Sequence, residues 1–115
     1  MSARKIYDVQ YPNLYATPGV HKGADAFNRV QRGHQNMFET MSGVSMMSLV
    51  GGLSHPKAAG ACGVLYSLGS YFYMQGYSDL NKDVKMARYT GLAPIKIVGM
   101  LGSLILCCKA CFDMA

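Results

Sequence analysis

Residues 26–39 read A-F-N-R-V-Q-R-G-H-Q-N-M-F-E, and the fold turns on how this run is read. On a helix, Arg29, Arg32, Asn36 and Glu39 fall at i, i+3, i+7 and i+10, inside an arc of roughly 80° at about 100° per residue. One face then carries two guanidinium forks, a carboxamide and a carboxylate. Residues 40–55, which follow directly, contain no Asp, Glu, Lys or Arg. The polar stripe therefore runs into apolar surroundings, where polar groups are costly unless paired or bound to something. The run points to a site, and to a membrane around it.

The composition agrees. A chain of 115 residues is too short for two ordinary cores, so residues 1–115 read as one membrane-associated domain. Half of it is apolar and 15% is charged, a low charge share for a soluble protein. Its 13 glycines and 9 methionines suit helices packed closely in lipid, where small residues let backbones approach. The net charge of +5 does not mark a nucleic-acid binder, because the basic residues flank apolar segments and form no patch interleaved with aromatics. Residues 1–18 lack the continuous apolar stretch of a secretory signal. Cys62, Cys107, Cys108 and Cys111 lie in apolar segments and read as small buried hydrophobes, not as a disulfide framework. Cys107-Cys108-x-x-Cys111 has no second ligand cluster beside it, so no metal is implied.

Taken in order, residues 1–23 form an approach segment, with turn signals at Tyr11-Pro12-Asn13 and Thr17-Pro18-Gly19. Asp25 is the expected N-cap of a helix over 26–53, which Gly51-Gly52 ends and His55-Pro56 links onward. A second helix is expected over 57–78. Its uncharged run 58–78 is long enough to cross a ~30 Å hydrocarbon layer at ~1.5 Å per residue, and it is the clearest span. Asp79, Lys82, Asp83, Lys85 and Arg88 make 79–88 a charged connector. A third helix is expected over 90–111, with Pro94 in its first turns and Lys96 snorkelling to the interface. The expected fold is an all-α transmembrane helix bundle of three spans. Arg4, Lys5, Lys22, Lys82, Lys85 and Arg88 then share one side, which the positive-inside rule puts in the cytosol.

The motif F-N-x-V-Q-R-G-H-Q-N-x-x-E over residues 27–39 resembles the second-helix signature of the membrane-associated proteins in eicosanoid and glutathione metabolism. Within that family the chain looks like the type-3 microsomal glutathione transferases. K-I-Y-D-V-Q-Y-P-N-L-Y-A (5–16), G-G-x-x-H-P (51–56) and G-x-L-Y-x-x-x-x-x-F-Y-x-x-G-Y (63–77) extend the likeness over residues 2–106, the last third by pattern more than by residue. The resemblance implies a four-helix family bundle here lacking its first helix, whose last residues Arg4 and Lys5 match. It also implies a homotrimer, and an integral membrane protein of the endoplasmic reticulum or nuclear envelope. Its implied function is conjugation of glutathione to lipophilic electrophiles, or glutathione-dependent reduction of lipid hydroperoxides.

The candidate site follows from both readings. Arg forks suit carboxylates, Asn gives and takes a hydrogen bond, and Glu pairs with an ammonium, which together complement glutathione. Arg32 and Glu39 lie two turns apart, beyond good intrahelical pairing, so each is expected to find its partner elsewhere. The resemblance carries Arg32, Gln35, Asn36 and Glu39 over as glutathione contacts; many relatives differ at Arg29. Tyr66, Ser70, Tyr73 and Tyr77 form a hydroxyl stripe, with Tyr77 at belt depth and Tyr66 and Ser70 deeper. Relatives use the Tyr73 and Tyr77 positions against the tripeptide at a subunit interface, and carry an arginine where Ser70 stands. His34 projects from another face and reads as a histidine hydrogen-bonded between helices or at the headgroup level. A thiol with a pKa near ~8.5 needs a cation to be a good nucleophile at neutral pH. Arg4, Lys5, Lys85 and Arg88 are the candidates. Two other readings use the same residues: a non-catalytic membrane scaffold of the family, and an assembly subunit of a membrane complex.

Overall fold

A computed structural model describes residues 3–115. It contains α1 (Ala3–Tyr7), α2 (Ala24–Ser54), α3 (Pro56–Ser78), α4 (Val84–Ala87) and α5 (Ile95–Met114), with no strand among the described residues. The three long helices run up, down and up in a bundle 56 Å long, each packed on the other two.

The caps explain where the helices begin. The N-cap of α2 is Gly23, not Asp25; it sits at φ 72, and Asp25 falls in the first turn, where its charge favours the helix N-terminus. A Cβ at Gly23 would also meet the Tyr7 ring at 2.9 Å. Pro56 opens α3 at a position where its missing N–H is harmless. The third long helix starts at Ile95 instead of residue 90, with Pro94 as its N-cap, and runs on to Met114.

Of the helices, α5 is long and apolar enough to cross a membrane, and the expected clearest span within α3 does not reach that mark. Glycines, serines and tyrosines dilute the 58–78 run, whereas 95–114 is rich in Ile, Leu and Val.

Glycine sets the α3–α5 spacing. A Cβ at Gly69 would fall on the backbone of Lys96, and one at Gly99 on the backbone of Cys62 and Tyr66. Each helix offers a bare backbone strip to the other, the arrangement small residues permit. Gly51 faces Leu106 and Cys107 across the α2–α5 contact in the same way. The cysteines are free and less buried than their setting suggests: Cys62 and Cys107 are half-buried, and Cys108 and Cys111 are exposed.

The approach segment folds back on α2. Val9, Ala16, Ala24 and Phe27 form a small buried cluster, and Tyr7 meets Phe27 edge-on at 6.3 Å. Asn28 clamps the segment with both amide atoms, accepting from Ala16 N at 2.7 Å and donating to Ala16 O at 2.9 Å. The 79–88 connector lies at the same end, and Arg29 ties it to α2 by donating to Tyr77 O at 2.9 Å and Lys82 O at 3.2 Å. Within the connector, Asp79 accepts Asn81 N–H at 3.0 Å and pairs with Lys82 at 3.4 Å; these hold its carboxyl below the usual carboxylate range. The N-terminal segment and the connector thus share one end of the bundle, as the charge pattern requires.

Candidate functional site

The polar stripe of α2 does not stay together. Its residues part between two neighbouring clefts at the charged end of the bundle, and a third cleft opens beside them. Asn36 faces a 240 Å³ cavity where α2, α3, α5 and the connector meet, lined also by Thr40, Tyr73, Arg88, Tyr89 and Lys96. Arg29, Arg32 and Tyr77 line a 660 Å³ cleft with Tyr15, Leu80 and Val84. Arg4, His34 and Gln35 line a third, of 580 Å³, between the approach segment and α2.

In the first cavity Lys96 corrects the sequence reading. It does not snorkel: it is buried, and its Nζ donates to Asn36 Oδ1 at 2.6 Å. The ammonium lies 5.0 Å from the Tyr73 ring centre and 5.6 Å from that of Tyr66. Gly69 brings the Lys96 backbone in against α3, so the side chain can only run along the cavity wall toward α2. Arg88 reaches the same cavity from the exposed connector. No Asp or Glu lines it. A cavity walled by two cations, a carboxamide and phenols is suited to an anion.

Beside it, Tyr73 and Tyr77 stack with ring centres 5.7 Å apart and nearly parallel. This stack joins the first cavity to the second. Arg29 is largely committed to the backbone of the α3 end and the connector, and its Nη2 is buried without a partner. Arg32 and Glu39, expected to pair elsewhere, pair with each other at 3.2 Å. Their Cα atoms are about 10.5 Å apart along the axis, and two extended side chains bridge that distance because Asn36 between them is turned to Lys96. Both are about half-exposed, so the pair is easily opened by a competing ligand.

The remaining candidates divide. Gln35 accepts a hydrogen bond from Tyr15 O–H. Arg4 is drawn into the approach segment, donating to Asn13 O at 2.8 Å and lying 4.2 Å from the Tyr11 ring centre. His34 is exposed and stacks on Phe38 instead of bonding between helices. Lys5 and Lys85 are exposed and line none of the three clefts. Tyr66 is buried and structural: its hydroxyl shares a 2.7 Å hydrogen bond with Thr40 and donates to Met37 O at 3.3 Å. Ser70 is 3% exposed and its Oγ has no partner.

The family model described as the MAPEG family matches residues 1–112. The chain belongs to the MAPEG family. No solved structure matches it. MAPEG members are membrane proteins, and the family includes glutathione transferases and leukotriene-C synthase. Membership makes this chain a membrane protein of a glutathione-linked enzyme family, in keeping with the apolar length of α5. Sequence reasoning missed Lys96 as part of the Asn36 cavity, although a signal was present. Lys96 is the lone charge between Tyr89 and Cys108, and a lysine so isolated needs either the interface or a buried partner.

Proposed function

We propose that the protein is a membrane glutathione transferase and peroxidase of the type-3 microsomal kind. It conjugates glutathione to lipophilic electrophiles such as epoxide lipids, or reduces lipid hydroperoxides. The observation that carries this reading is the adjacency of two cation-bearing clefts, one with Arg29, Arg32 and Tyr77 beside a single acid, Asp25, the other with Asn36, Tyr73, Arg88 and Lys96 and no acid. Arg32 and Asn36 are one helical turn apart, about 6 Å. An extended tripeptide spans roughly 10 Å. Glutathione anchored by a carboxylate on the Arg32 fork therefore has its sulfur within reach of the Asn36–Lys96 cavity, and Glu39, once released from Arg32, is free to pair with the ammonium.

Chemistry then needs a thiolate. Of the cations considered from the sequence, Arg88 is the one on the Asn36–Tyr73 cavity. In conjugation the thiolate attacks an epoxide carbon; the C–S bond forms, the C–O bond breaks, and the alkoxide takes a proton from water. In peroxide reduction two glutathiones supply the two electrons and leave as the disulfide. The apolar co-substrate enters from the bilayer. The same reading has α2, α3 and α5 as three spans, a homotrimer in which a neighbouring copy closes the clefts, and residence in the endoplasmic reticulum or nuclear envelope.

A second reading, a non-catalytic glutathione- or lipid-binding scaffold, draws on Ser70, which is buried without a partner where relatives carry an arginine. An assembly subunit is a third. Conjugation of glutathione to a chromogenic electrophile by the purified protein in detergent is the expected result. Binding without turnover selects the scaffold. No thermal protection by glutathione leaves the assembly subunit.

A further inference from the structure

Lys96 is 7% exposed. Its ammonium has three donors, and the one acceptor it meets is the neutral Asn36 Oδ1 at 2.6 Å. Two ring faces, of Tyr73 and Tyr66, supply weak attraction to the rest of the charge. Among the described residues it pairs with no carboxylate, and Glu39 is held by Arg32 at 3.2 Å. A buried cation with no ion-pair partner is costly to keep, so its retention here calls for a charge that arrives from outside. The cavity it lines contains Arg88 and no acidic residue.

The rest of the wall says which anion. Ala93, Pro94, Ile97 and Met100 supply the apolar part of its lining, and they give a carboxylate nothing to replace its tight water shell. A thiolate is larger and softer, loses less on leaving water, and is stabilised by a neighbouring lysine or arginine. We infer that Lys96 is the cation that holds the thiolate of the bound thiol peptide, with Arg88 as the outer cation of the same cavity. The inference rests on the glutathione reading above. On binding, the S–H bond breaks heterolytically, the electron pair stays on sulfur, and the proton leaves to water past the exposed Arg88. Asn36 fixes the ammonium, and Tyr73 closes the wall over it.

The test compares wild type, Lys96→Gln, Lys96→Arg and Arg88→Gln in one detergent. The ultraviolet absorbance of the thiolate of bound glutathione is followed against pH. Calorimetric affinity is measured for S-methylglutathione, which keeps both carboxylates and the ammonium but has no ionisable thiol. Lys96→Gln keeps a donor for Asn36 without the charge; it should lower the thiolate-to-thiol ratio at neutral pH about ten-fold or more and leave S-methylglutathione affinity within about two-fold. Lys96→Arg should restore the thiolate. Arg88→Gln should leave the bound thiol more ionised than glutathione in water, and this arm decides the matter even if Lys96→Gln does not fold. An unchanged thiolate in Lys96→Gln, equal loss of both ligands, or complete loss of the shift in Arg88→Gln overturns the role of Lys96 while glutathione binding stands. A wild-type protein that binds no glutathione overturns both.

Discussion

At the scale of single residues, Arg32 is the sharpest test of the binding face. Its pair with Glu39 is about half-exposed, and such pairs contribute ~1 kcal/mol or less to stability. Arg32→Lys should therefore keep the fold. Lysine replaces a bidentate fork by a point charge, and the lost charge-assisted hydrogen bond of ~1.5–3 kcal/mol weakens glutathione roughly ten- to a hundred-fold. Titration calorimetry in one detergent checks this; equal affinities for the variant and wild type would make the Arg32–Glu39 pair structural. Asn36→Ala now has a different meaning from a lost ligand contact, because it removes the one hydrogen-bond acceptor of Lys96. It should lower the thermal midpoint as well as the affinity, since a buried ammonium is left without its acceptor. An unchanged midpoint would show that Lys96 finds another partner.

The helices make a second kind of prediction. Gly99 packs against the backbone of α3, so a methyl group there forces the helices apart, whereas Gly60 has nothing within 4 Å of its would-be Cβ. Gly99→Ala should cost ~1–3 kcal/mol and lower the thermal midpoint in detergent by roughly 5 °C or more. Gly60→Ala should leave it level or raise it, since alanine is the better helix former by roughly 0.5–1 kcal/mol. Matching midpoints for the two variants would mean that the α3–α5 contact is not backbone to backbone. Because Gly69 seats Lys96, crowding this contact should also disturb the anion cavity, and glutathione affinity should fall in Gly99→Ala but hold in Gly60→Ala.

For the whole molecule, the surface is the guide. Leu49, Leu53, Val64, Leu68, Ile97, Val98 and Ile105 are all more than 45% exposed along the long helices. So many exposed large apolar side chains along the long helices belong in lipid or against another copy. The protein should stay with the membrane through alkaline carbonate extraction, and recovery in the soluble fraction without detergent would defeat the membrane reading. Crosslinking in mild detergent should capture trimers. Monomers alone would leave the three clefts without the neighbour proposed to close them.

The helical fold class and the family were legible in the chain itself. Helix-length runs low in charge and broken at His55-Pro56 and Pro94 can form little but a helical bundle, although Gly51-Gly52, expected to end a helix, lies inside α2; the rare R-x-H-Q-N core inside residues 27–39 marked the family that the match over 1–112 confirmed. Periodicity placed Arg29, Arg32, Asn36 and Glu39 on one face because that depends only on residues of one helix. Where those side chains go was not legible, since it depends on what other helices bring near. Gly69 and Gly99, far apart in sequence, let α5 approach α3 closely enough to bury Lys96, and Lys96 then turns Asn36 away from its neighbours on the stripe. That leaves Arg32 and Glu39 to reach each other across two turns. Local spacing determined which polar groups share a face; only the packing of three helices decided which of them share a cavity.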